Sequence, residues 1–192
     1  MSASLIYVMG PSGVGKDSLL NWLRAHVCSL QPPPALHFAR RTVTRSLDKS
    51  NEDHESVGFD VFGQLQEAGA FALHWQAHGL HYGVRHEELT GRSGWVMVNG
   101  SRAYAAQARA LFPGMTVLQV SAPEAVVRAR LAARQRETAV EVEARIQRSQ
   151  AADVAVAASD LHIVNAGSLD ATARLLCAML QTHTGLRLLH PT

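Results

Sequence analysis

Apolar and polar positions along this 192-residue chain change period repeatedly, and the changes mark out the elements. Leu5, Ile6, Tyr7 and Val8 form a short unbroken apolar run, the pattern of a strand buried on both faces. After a glycine-containing stretch, Leu19, Leu20, Leu23 and Val27 recur at helical spacing. The QPPPA segment at 31–35 ends that helix, because proline has no N–H to continue the ladder. LHFAR predicts a second strand. Residues 40–57 are polar and aperiodic, so a long loop is expected there; loops of that length in compact domains usually carry function. A short helix is expected near Phe62 to Ala68, then strands in AFALHWQA and in GWVMVN (94–99). Ser101 is a candidate cap for the helix that follows. MTVLQV predicts the next strand, and Ser121 with Glu124, around Pro123, reads as a capping box opening a helix to about Arg134. Thr138 and Glu141 repeat that signal, and the Ala-rich stretch 151–158 continues a helix. DLHIVN is the last predicted strand and 168–182 the last helix.

Strands alternating with helices imply a mostly parallel α/β sheet. The length fits a single domain, 1–192, with a small lid. At 47% hydrophobic and 18% charged residues the composition is that of an ordinary globular chain able to bury a core. A formal charge of only +2 gives no bulk argument for nucleic acid or membrane as a partner. The apolar run Leu5–Met9 is too short for a signal sequence or a membrane span. Cys28 and Cys177 each sit in helix-like sequence and read as free thiols of a reducing cytosol, so a cytoplasmic protein is expected.

The stretch between the first strand and the first helix carries the chemistry. Gly10, Pro11, Ser12, Gly13, Val14, Gly15 and Lys16 fit G-x-x-x-x-G-K, whose backbone N–H groups wrap phosphate oxygens while the lysine neutralises charge. The pattern then asks for Ser or Thr, and the chain has Asp17, followed by Ser18. An acid there suits the helix dipole. Beside a polyphosphate its carboxylate is tolerable only with Mg²⁺ between them, directly or through water, so Asp17 is the candidate metal ligand. Arginines crowd two regions: Arg40, Arg41 and Arg45 around TVT, and Arg128, Arg130, Arg134, Arg136, Arg145 and Arg148. Arginine suits bidentate phosphate clamping. Arg128 and Arg130 are equally readable as a solvated helix face, whereas Arg134 and Arg136 lie where two capped helices meet, as in a lid.

The stretches GPSGVGKDSLL, RRTVTR, FALHWQAHGLHYGV, RLAARQRETAVEVEARI and IVN, in this order, resemble the guanylate kinase family over almost the whole chain. The resemblance implies a P-loop three-layer α/β core at about 1–36 and 93–192, an acceptor-binding region at about 37–92 and a helical lid at about 132–150. It implies that Arg45 and Tyr82 hold the acceptor phosphate. Arg134, Arg136 and Arg145, with Lys16, would act on the transferring phosphoryl group, and Asn165 would lie near the adenine end of ATP. The departures are specific. His74 stands where guanylate kinases read guanine with Glu, Asp48 replaces a second loop arginine, and residues 46–58 hold no tyrosine. A site without those partners loses most discrimination for a base.

The chain is similar, more narrowly, to the ribose 1,5-bisphosphate phosphokinases, by GPSGxGKDSLL, the E-x-H of Glu52 and His54, HGLxYGV (78–84) and VNGSRA (98–103). That likeness implies ATP-dependent phosphorylation of a sugar phosphate to 5-phosphoribosyl diphosphate, in phosphonate use, with Mg²⁺. It implies small molecules as partners. Two acceptor phosphates ask for cations at both ends of a small sugar, and Arg40, Arg41, Arg45 and Lys49 are candidates; Glu52 and His54 in the same loop, Tyr82, and Asn99 and Ser101 after the central strand are the further candidate acceptor contacts. A homodimer is compatible with the chain. Two other readings stay open: a GMP kinase, and a catalytically dead interaction module, which would have no need of Gly15, Lys16 and the arginines. His74, His78 and His81 are spaced along strand and loop and do not form a zinc set.

Overall fold

The computed structural model describes residues 3–45, 53–133, 143 and 160–189. In chain order the elements are β1 (Ser4–Met9), α1 (Lys16–Ser29), β2 (Leu36–Phe38), β3 (Arg41–Val43), β4 (His54–Ser56), α2 (Phe59–Glu67), β5 (Phe71–Ala77), β6 (Leu80–Arg85), α3 (His86–Leu89), β7 (Trp95–Asn99), a 3₁₀ turn (Arg102–Tyr104), α4 (Ala105–Leu111), β8 (Thr116–Ser121), α5 (Glu124–Ala133), β9 (Leu161–Val164) and α6 (Leu169–Thr184). Five strands form one sheet in the order β2-β7-β1-β8-β9, and four form a second in the order β4-β3-β6-β5. In the first sheet β2 pairs parallel with β7, and β8 parallel with β9. The expected α/β class with a mostly parallel sheet is therefore what the chain adopts.

The chain divides into two compact units, one of residues 1–7 and 35–115, the other of 8–34 and 116–192. The first unit takes in β7 and α4 together with the region 37–92 expected to bind the acceptor. Pairing explains this for β7, whose Trp95, Val96 and Met97 are in register with Leu36, His37 and Phe38 of β2.

In the second unit α1 buries Leu19, Leu20, Leu23 and Val27, the stripe anticipated from the sequence. It packs against α6, which buries Thr172, Ala173, Leu176, Cys177 and Leu180. Each fully buried leucine of that seam contributes about 1.5–3 kcal/mol of apolar transfer energy. Ser168 Oγ caps α6 by accepting from the Ala171 N–H, and Gly185 ends it in a left-handed conformation.

Three expectations are corrected. The polar segment 40–57 contains two strands, β3 and β4, paired parallel with Arg41 opposite His54. A strand was also missed after AFALHWQA. His78 (φ 54°) and Gly79 (φ 72°) form a two-residue turn that folds β6 back antiparallel on β5. The capping box at Ser121 does not form. The Pro123 carbonyl accepts from the Val126 and Val127 N–H groups at the start of α5, while Ser121 Oγ lies 2.7 Å from His162 Nε2 on the neighbouring strand. The expected signal at Thr138 and Glu141, the helix at 151–158 and the lid at 132–150 fall, apart from Ala132, Ala133 and Glu143, outside the described residues.

Candidate active site

In the second unit the glycine loop joins β1 to α1. Gly13 and Gly15 have φ of 88° and 87°, a conformation costly for any residue with a Cβ. Pro11, Ser12, Gly13, Gly15, Lys16, Asp17 and Ser18 line one cavity at the start of α1. Gly15 is the N-cap of that helix and supplies no side chain to its first N–H groups, which leaves the positive end of the dipole at the cavity. Gly10 and Val14 do not line it. Gly10 packs beneath the loop, where a Cβ would come within 2.2 Å of the Val120 carbonyl oxygen.

Val14 is held from below. Its carbonyl accepts from Asn165 Nδ2 at 2.7 Å and from Arg130 Nη1 at 3.1 Å. Asn165 is buried at the end of β9, and its backbone N–H donates to the Ser121 carbonyl at 2.7 Å. Arg130 Nη2 reaches Asn165 Oδ1 at 3.4 Å. The structure thus separates two arginines that the sequence left equal. Arg130 supports the loop, whereas Arg128 is exposed and pairs with Glu124 and Glu143, which hold its guanidinium above its usual pKa. Asp17 and Ser18 are exposed in the first turn of α1. Among the described residues no three His, Cys, Asp or Glu side chains converge. Mg²⁺ does not require such a cage, since it is commonly held by one or two protein oxygens together with phosphates and water. Asp17 and Ser18 fit that donor set.

The first unit gathers a different set. Strand alternation and register put Arg41, His54, Val43, Tyr82 and Trp75 on one face of the second sheet. Tyr82 stacks on Trp75 (5.6 Å, 4°), Trp75 on Tyr104 (5.7 Å), and the Arg41 guanidinium lies 5.1 Å from the Tyr82 ring centre. Arg45 Nη2 reaches the Tyr82 hydroxyl at 3.4 Å. Arg41 Nη1 donates to the Asn99 carbonyl at 3.0 Å, tying the end of β7 to the face. Ser56 Oγ donates to the Arg45 carbonyl at 2.5 Å and so spends its one proton. The contact between Ser56 Oγ and buried His54 Nε2 at 3.1 Å is therefore donated by the imidazole. His54 supports the Arg45 backbone through that hydroxyl. His74 is exposed and in register with Gly83, off the face that carries Tyr82.

Of the residues expected from sequence, the structure brings Arg41, Arg45, His54, Tyr82, Asn99 and Ser101 into one unit, and the loop residues Gly10 to Ser18 with Asn165 into the other. Glu52, Arg134, Arg136 and Arg145 lie outside the described residues. Sequence reasoning missed the Trp75–Tyr104 stack and Ser56. It also missed a Thr42–Glu55–Arg85 cluster on the opposite sheet face, with Arg85 Nη2 and Glu55 Oε1 2.6 Å apart and Thr42 Oγ1 donating to Glu55 Oε2 at 2.7 Å. Beyond the strand expected in AFALHWQA, the alternation of Leu80, Tyr82 and Val84 in β6 could have signalled this sheet.

A strand–glycine loop–helix unit with Lys16 at the start of its helix, in one unit, and an arginine- and tyrosine-lined sheet face, in the other, define a P-loop kinase of the guanylate kinase-like class. The fold agrees with solved structures of a guanylate kinase from Anaplasma phagocytophilum (TM-score 0.64, 18% identity, 95% of this chain and 87% of that one) and a gluconokinase from Sinorhizobium meliloti (TM-score 0.54, 19% identity, 96% and 94%). No family model matches the chain. It is 42% identical over 184 residues to the ribose 1,5-bisphosphate phosphokinase PhnN of Burkholderia pseudomallei, covering 94% of this chain and 97% of that protein. It is 40% identical over 191 residues to the protein of the same name from Pseudomonas fluorescens, covering 96% and 98%. The chain belongs to the ribose 1,5-bisphosphate phosphokinase family.

Proposed function

We propose that this chain transfers the γ-phosphoryl group of ATP to the 1-phosphate of ribose 1,5-bisphosphate, forming 5-phosphoribosyl 1-diphosphate in phosphonate catabolism. The observation that carries the reading is full-length identity of about 40% to relatives named for that activity, together with an intact phosphate loop. The acceptor phosphate, with a second pKa of about 6, is mostly a dianion at neutral pH. No side chain has to remove a proton from it, and the protein's work is positioning and charge neutralisation.

In this reading the loop N–H groups and Lys16 hold the ATP phosphates. Asp17 and Ser18 would hold Mg²⁺, which would supply positive charge against the ATP phosphates. Arg41, Arg45 and Tyr82 take the acceptor, with His54 and Ser56 keeping the Arg45 backbone in place and Asn99 and Ser101 beside them. Glu52 is assigned to the acceptor, and Arg134, Arg136 and Arg145 to the transferring group, by family resemblance. No helix among the described residues is long and apolar enough to cross a membrane, and both cysteines are free thiols, which supports a cytoplasmic enzyme. The test is ATP consumption with ribose 1,5-bisphosphate and with GMP side by side. Strong turnover with the sugar phosphate and little with GMP is expected; comparable kcat/KM for both would return the chain to a general monophosphate kinase.

A further inference from the structure

We infer that Tyr7, a buried residue of β1, is a positioning residue for the phosphate acceptor, fixing the Asn99–Ser101 turn on which Arg41 is docked. The inference rests on the kinase reading above. The Tyr7 hydroxyl donates to the Ser101 carbonyl at 2.9 Å and accepts from the Ser101 N–H at 2.9 Å. One hydroxyl thus uses its single proton and a lone pair on both ends of one residue, holding Ser101 in an extended conformation (φ −102°, ψ 139°). The ring fixes the preceding residue as well. A Cβ on Gly100 would come within 2.0 Å of Tyr7 Cζ, so only glycine lets the turn lie on the ring.

From this anchor two paths lead to the acceptor face. The Asn99 carbonyl, two residues from the bonded peptide, accepts from Arg41 Nη1. On the other side the Ser101 carbonyl also accepts from the Tyr104 N–H at 3.2 Å, and the Tyr104 ring stacks on Trp75, which stacks on Tyr82. Tyr7 therefore sits at the closure of a circuit that contains both proposed phosphate-binding groups, Arg41 and Tyr82, without touching the face itself. Tyr7 is 0% exposed, and burial holds its phenol far above the usual pKa, so the hydroxyl remains a donor throughout the working pH range.

The test is Tyr7→Phe, which deletes the hydroxyl and keeps the ring over Gly100. Relative to wild type, KM for ribose 1,5-bisphosphate should rise about tenfold, the order expected for losing one net hydrogen bond's worth of positioning. KM for ATP should stay within about twofold, the far-UV spectrum should be unchanged and Tm should fall by a few degrees. A lower Tm with both KM values unchanged would make Tyr7 a structural residue only and overturn the inference. Wild-type protein supplies an independent check should the variant not fold. Hydrogen exchange across 97–104 should slow on adding ribose 1,5-bisphosphate and not on adding ATP alone, and equal exchange with and without the sugar phosphate would also overturn it. Absence of wild-type turnover of ribose 1,5-bisphosphate would remove the kinase reading and this inference together, which separates the two failures.

Discussion

Replacing Gly15 by Ala tests whether the glycine loop is held in one shape from beneath. Gly15 has φ 87°, and the left-handed conformation costs an alanine about 1–2 kcal/mol. Its new Cβ would lie 2.6 Å from Asn165 Nδ2, a contact that cannot persist. Asn165 is buried and donates to the Val14 carbonyl, so it cannot swing away without breaking that bond. A buried hydrogen bond broken in this way costs about 1–3 kcal/mol. The two effects share one site and overlap, giving about 2–4 kcal/mol in total. For a chain of this size 1 kcal/mol moves Tm by about 2–4 °C, so a fall of roughly 5–15 °C is expected. KM for ATP should rise about tenfold, as expected if some 1.4 kcal/mol of the distortion persists in the bound loop. The assay is thermal denaturation with and without ATP, run in wild-type and Asn165→Ala backgrounds. Removing Nδ2 relieves the clash, so Gly15→Ala should cost measurably less in the second background. Gly63, inside α2 with open space around it, is the control: Gly63→Ala should raise Tm slightly. A Gly15→Ala protein melting within about 1 °C of wild type, or an identical cost in both backgrounds, would refute the reasoning.

Asp17→Ser restores the usual loop residue but removes a carboxylate near the proposed metal. kcat should fall about 10- to 100-fold, with a higher Mg²⁺ requirement in a titration at saturating ATP. Superimposable titrations would reduce Asp17 to a helix-start residue. Arg45→Ala should raise KM for the sugar phosphate before it lowers kcat, because its proposed partner is a ground-state phosphate; steady-state kinetics with each substrate varied would detect the split. Burial pushes the Cys177 thiol up to about 11, partly offset by Arg174, while Cys28 is exposed. At pH 8 an aromatic disulfide reagent should therefore label Cys28 quickly and Cys177 only on unfolding. Because the unfolded thiol loses its proton first, Cys177 should also make stability fall as pH rises from about 9 to 11.

Local sequence determined what lies within one strand, one turn or one helix. The run Leu5–Val8, the glycines of the loop and the stripe Leu19, Leu20, Leu23 and Val27 each specify conformation through nearest neighbours and a single period, and each formed as read. Family resemblance added the residues proposed to bind the acceptor. Strand β5 was read from the sequence, but β3 and β4 were not, because polar residues there displace the apolar signal. Arg41 and His54 occupy positions where an ordinary half-buried strand would alternate apolar residues, and β3 and β4 are three residues long. Tertiary structure alone decided which polar groups meet. Asn165 reaches Val14 across 151 residues and Tyr7 reaches Ser101 across 94, and in each case a side chain meets a backbone group. Every residue carries a backbone carbonyl and every residue but proline an N–H, and these look alike to a sequence pattern. Which of them a buried amide or phenol will hold is fixed only when the sheet sets the register.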